Sequence, residues 1–68
     1  MSHRWDVYEK VCYDMGVSSG EMGEIAIPED NDRLQSYLAT LPLWGDHRDN
    51  LTNAWIDGYE YGDDLSRS

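Results

Sequence analysis

The stretch from Asp46 to Gly62, DHRDNLTNAWIDGYEYG, constrains what this chain can fold into more than any other. Read at 3.6 residues per turn it divides into two faces. Leu51, Ala54, Trp55, Gly58 and Tyr59 fall on one side, an apolar stripe that has to be buried. Asp49, Asn53, Asp57 and Glu60 fall on the other, and Asp63 and Asp64 follow directly. The spacing is mostly i, i+3 or i+4, which makes these side chains neighbours along one exposed ridge. Like charges so placed cost a helix about 0.2–0.5 kcal/mol per pair. No lysine or arginine falls on that ridge to relieve the repulsion, so the pattern points to an acidic surface kept for a partner.

At 68 residues the chain makes one domain, residues 1–68, with Asp63 to Ser68 expected to fray. A core this small is marginal, but three tryptophans and five tyrosines each supply a large apolar area. The single cysteine, Cys12, excludes an internal disulfide framework, and with two distant histidines it makes a four-ligand zinc site implausible. The net charge of −9 comes from acids interleaved with apolar residues, unlike a disordered acidic tail. Such a charge repels nucleic acid and anionic membrane and favours basic protein surfaces. There is no apolar leader at the start and no membrane-length apolar run, so the expected compartment is the host cytoplasm, with Cys12 reduced.

In chain order, Ser2 caps a first helix from about His3 to Met15, with Gly16 expected to end it. Trp5, Tyr8, Val11, Cys12 and Met15 line its apolar face; Asp6, Glu9, Lys10, Tyr13 and Asp14 line the other. Residues 17–30, VSSGEMGEIAIPED, are ambiguous. Ser18 and Glu21 fit a capping box for a short turn carrying Met22, Ile25 and Ala26, whereas Glu24 to Ile27 reads as a strand without a pairing partner. One helical turn is the preferred reading, closed by Pro28, which biases Ile27 to extended geometry. Asp30 then caps a helix over Asn31 to Leu41, whose Leu34, Tyr37, Leu38 and Leu41 form a core-facing stripe. Pro42 ends it, Trp44 plugs the end of the bundle and Asp46 caps the last helix. The fold class is therefore all-α: a small bundle of three main helices plus a possible short helical turn.

No enzyme motif is present. Glu29 to Asp32 lacks the glycine and the bidentate glutamate of a calcium loop, and helix capping explains it better. His3 and His47 have no serine or cysteine beside them to activate. No catalytic residue, cofactor or metal is expected. The candidate partner-binding residues are Asp49, Asp57 and Glu60, then Asp6, Glu9 and Asp14, with Asp63 and Asp64. Tyr13 and Tyr61 join them as tyrosines set among carboxylates, where contact area comes at low entropic cost.

A rigid protein that carries carboxylates along helical ridges fits the basic groove in which a DNA-binding protein holds phosphates. With WDVYEKVCYDMG at one end and NAWIDGYEYGDD at the other, the chain resembles the small acidic inhibitors encoded by bacteriophages, especially anti-CRISPR proteins. That resemblance implies a phage-derived inhibitor that occludes the target-DNA site of a CRISPR surveillance complex, and the chain is expected to be a monomer. Its partner is then the basic DNA-binding surface of a host complex, with no direct contact to nucleic acid and none to membrane. A second likeness covers about a third of the chain: Trp55-Ile56-Asp57-Gly58-Tyr59, with Pro42-Leu43 upstream, is similar to the ending of the ribosome modulation factor family. That family is basic and binds ribosomal RNA; Asp57, Glu60, Asp63 and Asp64 occupy this region here, so only a packing motif transfers. The alternative function is an acidic interaction module (an adaptor, antitoxin-like partner or modulator) that binds a basic protein without mimicking nucleic acid. A third class, a domain whose charge serves solubility alone, predicts that charge reversal changes nothing.

Overall fold

A computed structural model describes residues 4–41 and 46–67, the side chains of residues 4 and 5 excepted. Its elements are α1 (Arg4–Glu21), a 3-10 turn (Pro28–Asp30), α2 (Asp32–Ala39) and α3 (Asp46–Arg67), an all-α bundle with no strand among the described residues. The roles expected for Ser2, His3, Trp5, Pro42 and Trp44 fall outside what is described.

The first correction concerns where α1 stops. Gly16 does not end it; the helix runs through Gly16 and Gly20 to Glu21. The stop is Gly23, whose φ of +70° is the left-handed conformation that a side chain disfavours. There the Gly23 N–H donates to the Gly20 carbonyl (3.2 Å) and the Glu24 N–H to the Ser19 carbonyl (3.0 Å), the paired bonds of a Schellman cap. Ser18 and Glu21 therefore lie inside α1 and make no capping box. The extra short turn comes later than expected, at Pro28–Asp30, after an extended Ile27 (φ −104°, ψ 112°).

Gly16 and Gly20 are helical because α3 lies against them. A Cβ on Gly16 would stand 2.8 Å from the Tyr59 nitrogen, and one on Gly20 2.7 Å from the Asp63 nitrogen. From the other side, a Cβ on Gly58 or Gly62 would meet the backbone of Tyr13 or Val17. Each helix thus contributes a Gly-x-x-x-Gly pair that lets two backbones touch. The partners advance together along both helices, so α1 and α3 run parallel and the chain between them makes the return. Interior glycines cost a helix about 1 kcal/mol each; close backbone packing over two turns offsets that cost. Gly62 is buried in this contact, and α3 continues to Arg67 through the segment expected to fray.

α2 closes the third side. Its cap is Asn31, one residue later than the expected Asp30: the Leu34 N–H donates to Asn31 Oδ1 at 2.8 Å. Asn31 Nδ2 donates to Ser19 Oγ at 3.3 Å, which ties α2 to α1 and gives the buried Ser19 a partner. The helix ends at Ala39 rather than Leu41, with Thr40 Oγ1 donating to the Tyr37 carbonyl at 2.7 Å. Cys12, Leu34, Leu38, Leu51 and Trp55 form the buried core, with Tyr8, Met15, Tyr37, Leu41, Ala54 and Tyr59 packed around it. Tyr8 and Tyr37 meet edge to face, ring centroids 6.5 Å apart.

Candidate functional site

Because α3 is unbroken for 22 residues, its outer face is one straight line of side chains. Asp46, Asp49, Asn53, Asp57, Glu60 and Asp64 follow one another at steps of three or four, and all are exposed. At 1.5 Å per residue the line is about 27 Å long. It carries five carboxylates, where one strand of B-DNA of that length carries about eight phosphates. Among the described residues no ion pair reaches Asp49, Asp57 or Glu60. Asp46, read from the sequence only as a cap, extends the ridge by one turn; its i, i+3 relation to Asp49 was the signal for it.

Asp63 stands apart from this line. It is half-buried and pairs with Arg67 Nε at 3.0 Å. Together with Glu60 and Asp64 it borders a cleft beside Ala26, on the flank of α3 that faces the loop after α1.

The expected second ridge on α1 does not form. Asp6 and Asp14 are exposed, but Glu9 is half-buried and turned toward α3. At 100° per residue Glu9 and Asp14 lie about 140° apart around the helix, so no single face holds both. Lys10 lies between Asp6 and Asp14 and reaches the Asp14 carboxylate at 3.7 Å. Glu9 instead shares a groove of about 400 Å³ with Lys10, Tyr13, Asn53 and Asp57. One turn further on, Tyr13 and Tyr61 stack across the helix pair, centroids 6.4 Å apart, with Tyr61 half exposed. The structure thus brings Glu9, Tyr13, Asp57 and Tyr61 onto one side of the α1–α3 pair.

Cys12 is fully buried, and burial, with the Glu9 carboxylate adding to it, pushes its thiol up to about 11. Tyr37 is shifted the same way by burial, with Cys12 and Tyr8 as lesser causes. Among the described residues no three histidine, cysteine or acidic side chains are grouped so as to hold a metal ion. No helix among them is long and apolar enough to cross a membrane.

Compared with protein-family models, with curated proteins and with solved structures, the chain finds no match in any of the three.

Proposed function

We propose that this protein inhibits a nucleic-acid-binding complex of a host cell, and specifically a CRISPR surveillance complex, by occupying the basic groove that receives target DNA. The observation that carries this reading is the α3 ridge, a rigid row of carboxylates from Asp46 to Asp64 with no basic residue on it. The glycine-locked contact with α1 holds that row straight before any partner arrives, so little ordering entropy is lost on binding. Asp49, Asp57 and Glu60 lie at its centre and are the principal contacts. Glu9 and Tyr13 flank them across the groove, and Tyr61 adds apolar contact. Asp6 and Asp14 are peripheral.

The test is competition. A purified surveillance complex is mixed with its target duplex, with and without this protein, at two salt concentrations. The reading predicts loss of the DNA complex at low salt, relieved as salt screens the ridge. Undiminished DNA binding at low salt would contradict it.

A second reading, an acidic adaptor that binds a basic protein without displacing nucleic acid, is favoured by the Tyr13–Tyr61 pair, with Tyr61 exposed and Tyr13 half-buried beside it. Such a contact depends less on salt, so the same titration separates the two.

A further inference from the structure

The loop between α1 and the 3-10 turn exposes three large apolar residues within six positions: Met22 at 56%, Ile25 at 62% and Ile27 at 50%. Three large apolar side chains exposed this close together in the chain make the loop a candidate interaction site. The loop is not slack. The Tyr59 hydroxyl donates to the Glu24 carbonyl, and Gln35 Nε2 donates to the Pro28 carbonyl at 2.9 Å. Pro28 is itself buried, so both ends are anchored and Ile25 and Ile27 are held outward.

The loop also stands between two clefts. On one side Ala26 borders a cleft of about 390 Å³ floored by Ile56 and Tyr59 and rimmed by Glu60, Asp63 and Asp64. Trp55 forms part of its wall; the indole is fully buried and its N–H has no acceptor among the described residues. On the other side Ile25 borders a cleft of about 380 Å³ with Glu24, Asp30, Asp32 and Arg33.

We infer that this face docks a segment of a partner protein that carries lysine or arginine beside apolar side chains. Charge complementarity selects that occupant. The charged residues rimming the Ala26 cleft are all carboxylates, and three carboxylates outnumber Arg33 in the other, so the cationic heads meet acids while their apolar stems lie on Ile56 and Tyr59. A second copy of this chain carries a net −9 of its own and is repelled, as are nucleic acid and anionic lipid. The site shares Glu60 and Asp64 with the C-terminal end of the α3 ridge, but its apolar part, Ile25 to Ile27 with Ile56 and Tyr59, lies off that ridge, and docking there does not require that the ridge displace DNA.

Two synthetic peptides test it: one with leucines along one helical face and lysines along the other, and a counterpart with serine for every leucine. Amide shifts and affinity are recorded for the full chain and for an Ile25→Ser/Ile27→Ser variant, whose circular dichroism should be unchanged because both residues are exposed. The leucine–lysine peptide is expected to bind with shifts centred on residues 24–27 and 59–64. Either the serine peptide or the double variant should weaken that binding about tenfold or more, since two exposed isoleucines lose their burial. Equal binding of the two peptides, an unaffected double variant, shifts centred on Asp49 and Asp57, or no binding at all would each overturn the inference. Self-association of the protein alone in sedimentation, lost in the double variant, would assign the face to a second copy and overturn it too.

Discussion

Gly58 lies directly against the backbone of Tyr13, so closely that a Cβ there would stand 2.9 Å from the Tyr13 carbonyl carbon and 3.1 Å from its Cα. Gly62 repeats the relationship one turn on, at 2.8 Å from the Val17 carbonyl carbon. In an isolated helix, replacing glycine by alanine is favourable by about 1 kcal/mol. Here the sign reverses. Gly58→Ala and Gly62→Ala should each destabilise the domain by about 1–3 kcal/mol, because backbone cannot move aside as a flexible side chain can. Urea denaturation measures this, and a stabilised Gly58→Ala protein would mean that the two helices are not in backbone contact.

Gly23 provides the contrast. Nothing lies within 4 Å of a Cβ built there, so space is not the constraint; its φ of +70° is. Gly23→Ala should cost roughly 1–2 kcal/mol through left-handed strain alone. Gly23→Asn should cost less, since asparagine tolerates that conformation, and the two can be ranked in the same urea series.

Among the described residues Trp55 is the largest fully buried side chain, and it joins the apolar stripe of α3 to Cys12, Leu34 and Leu38. Trp55→Ala should cost about 3–5 kcal/mol, most of the stability a domain of this size has. Calorimetry should show no cooperative transition, or one greatly lowered. A Trp55→Ala protein that melts normally would contradict the core.

Cys12 should resist alkylation in the native protein at pH 8 and react freely once unfolded, since its thiol is raised from the ordinary 9.0 to about 11 and is buried. The linkage follows from the direction of that shift. A group whose folded value is raised contributes stability that is fully present below the unfolded value and lost as pH rises through the folded one. Stability should therefore decline between about pH 9 and 11, and Cys12→Ala should flatten that decline. Rapid iodoacetamide labelling of the native protein at pH 8 would argue against the burial.

The apolar stripes of α2 and α3 were legible because period and burial agree: Leu34, Leu38, Leu51 and Trp55 are where a 3.6-residue repeat places them, and all are buried. The length of α1 was not. Taken one helix at a time, Gly16 and Gly20 read as breakers, and only the matching Gly58 and Gly62 on a distant helix turn them into a packing surface. That pairing is tertiary, and no local propensity encodes it. The same limit misplaced Glu9, which a two-face reading put with Asp6 and Asp14 although the position of α3 turns it inward. The exposure of Asp49, Asp57 and Glu60 was legible: they stand eight and three residues apart, with Asn53 midway between the first two, on a helix whose opposite face is plainly apolar.

The central claim is that the ridge is kept for a partner at some cost to the fold, and one comparison tests it most directly. Wild-type protein and an Asp49→Lys/Asp57→Lys/Glu60→Lys variant enter the DNA-competition assay together, with circular dichroism and urea midpoints recorded for both. All three residues are exposed and point away from the core. The account predicts a variant that folds with unchanged or slightly raised stability, by a few tenths of a kcal/mol for each repulsive pair relieved, and that no longer displaces DNA. A well-folded variant that inhibits as strongly as wild type would contradict it.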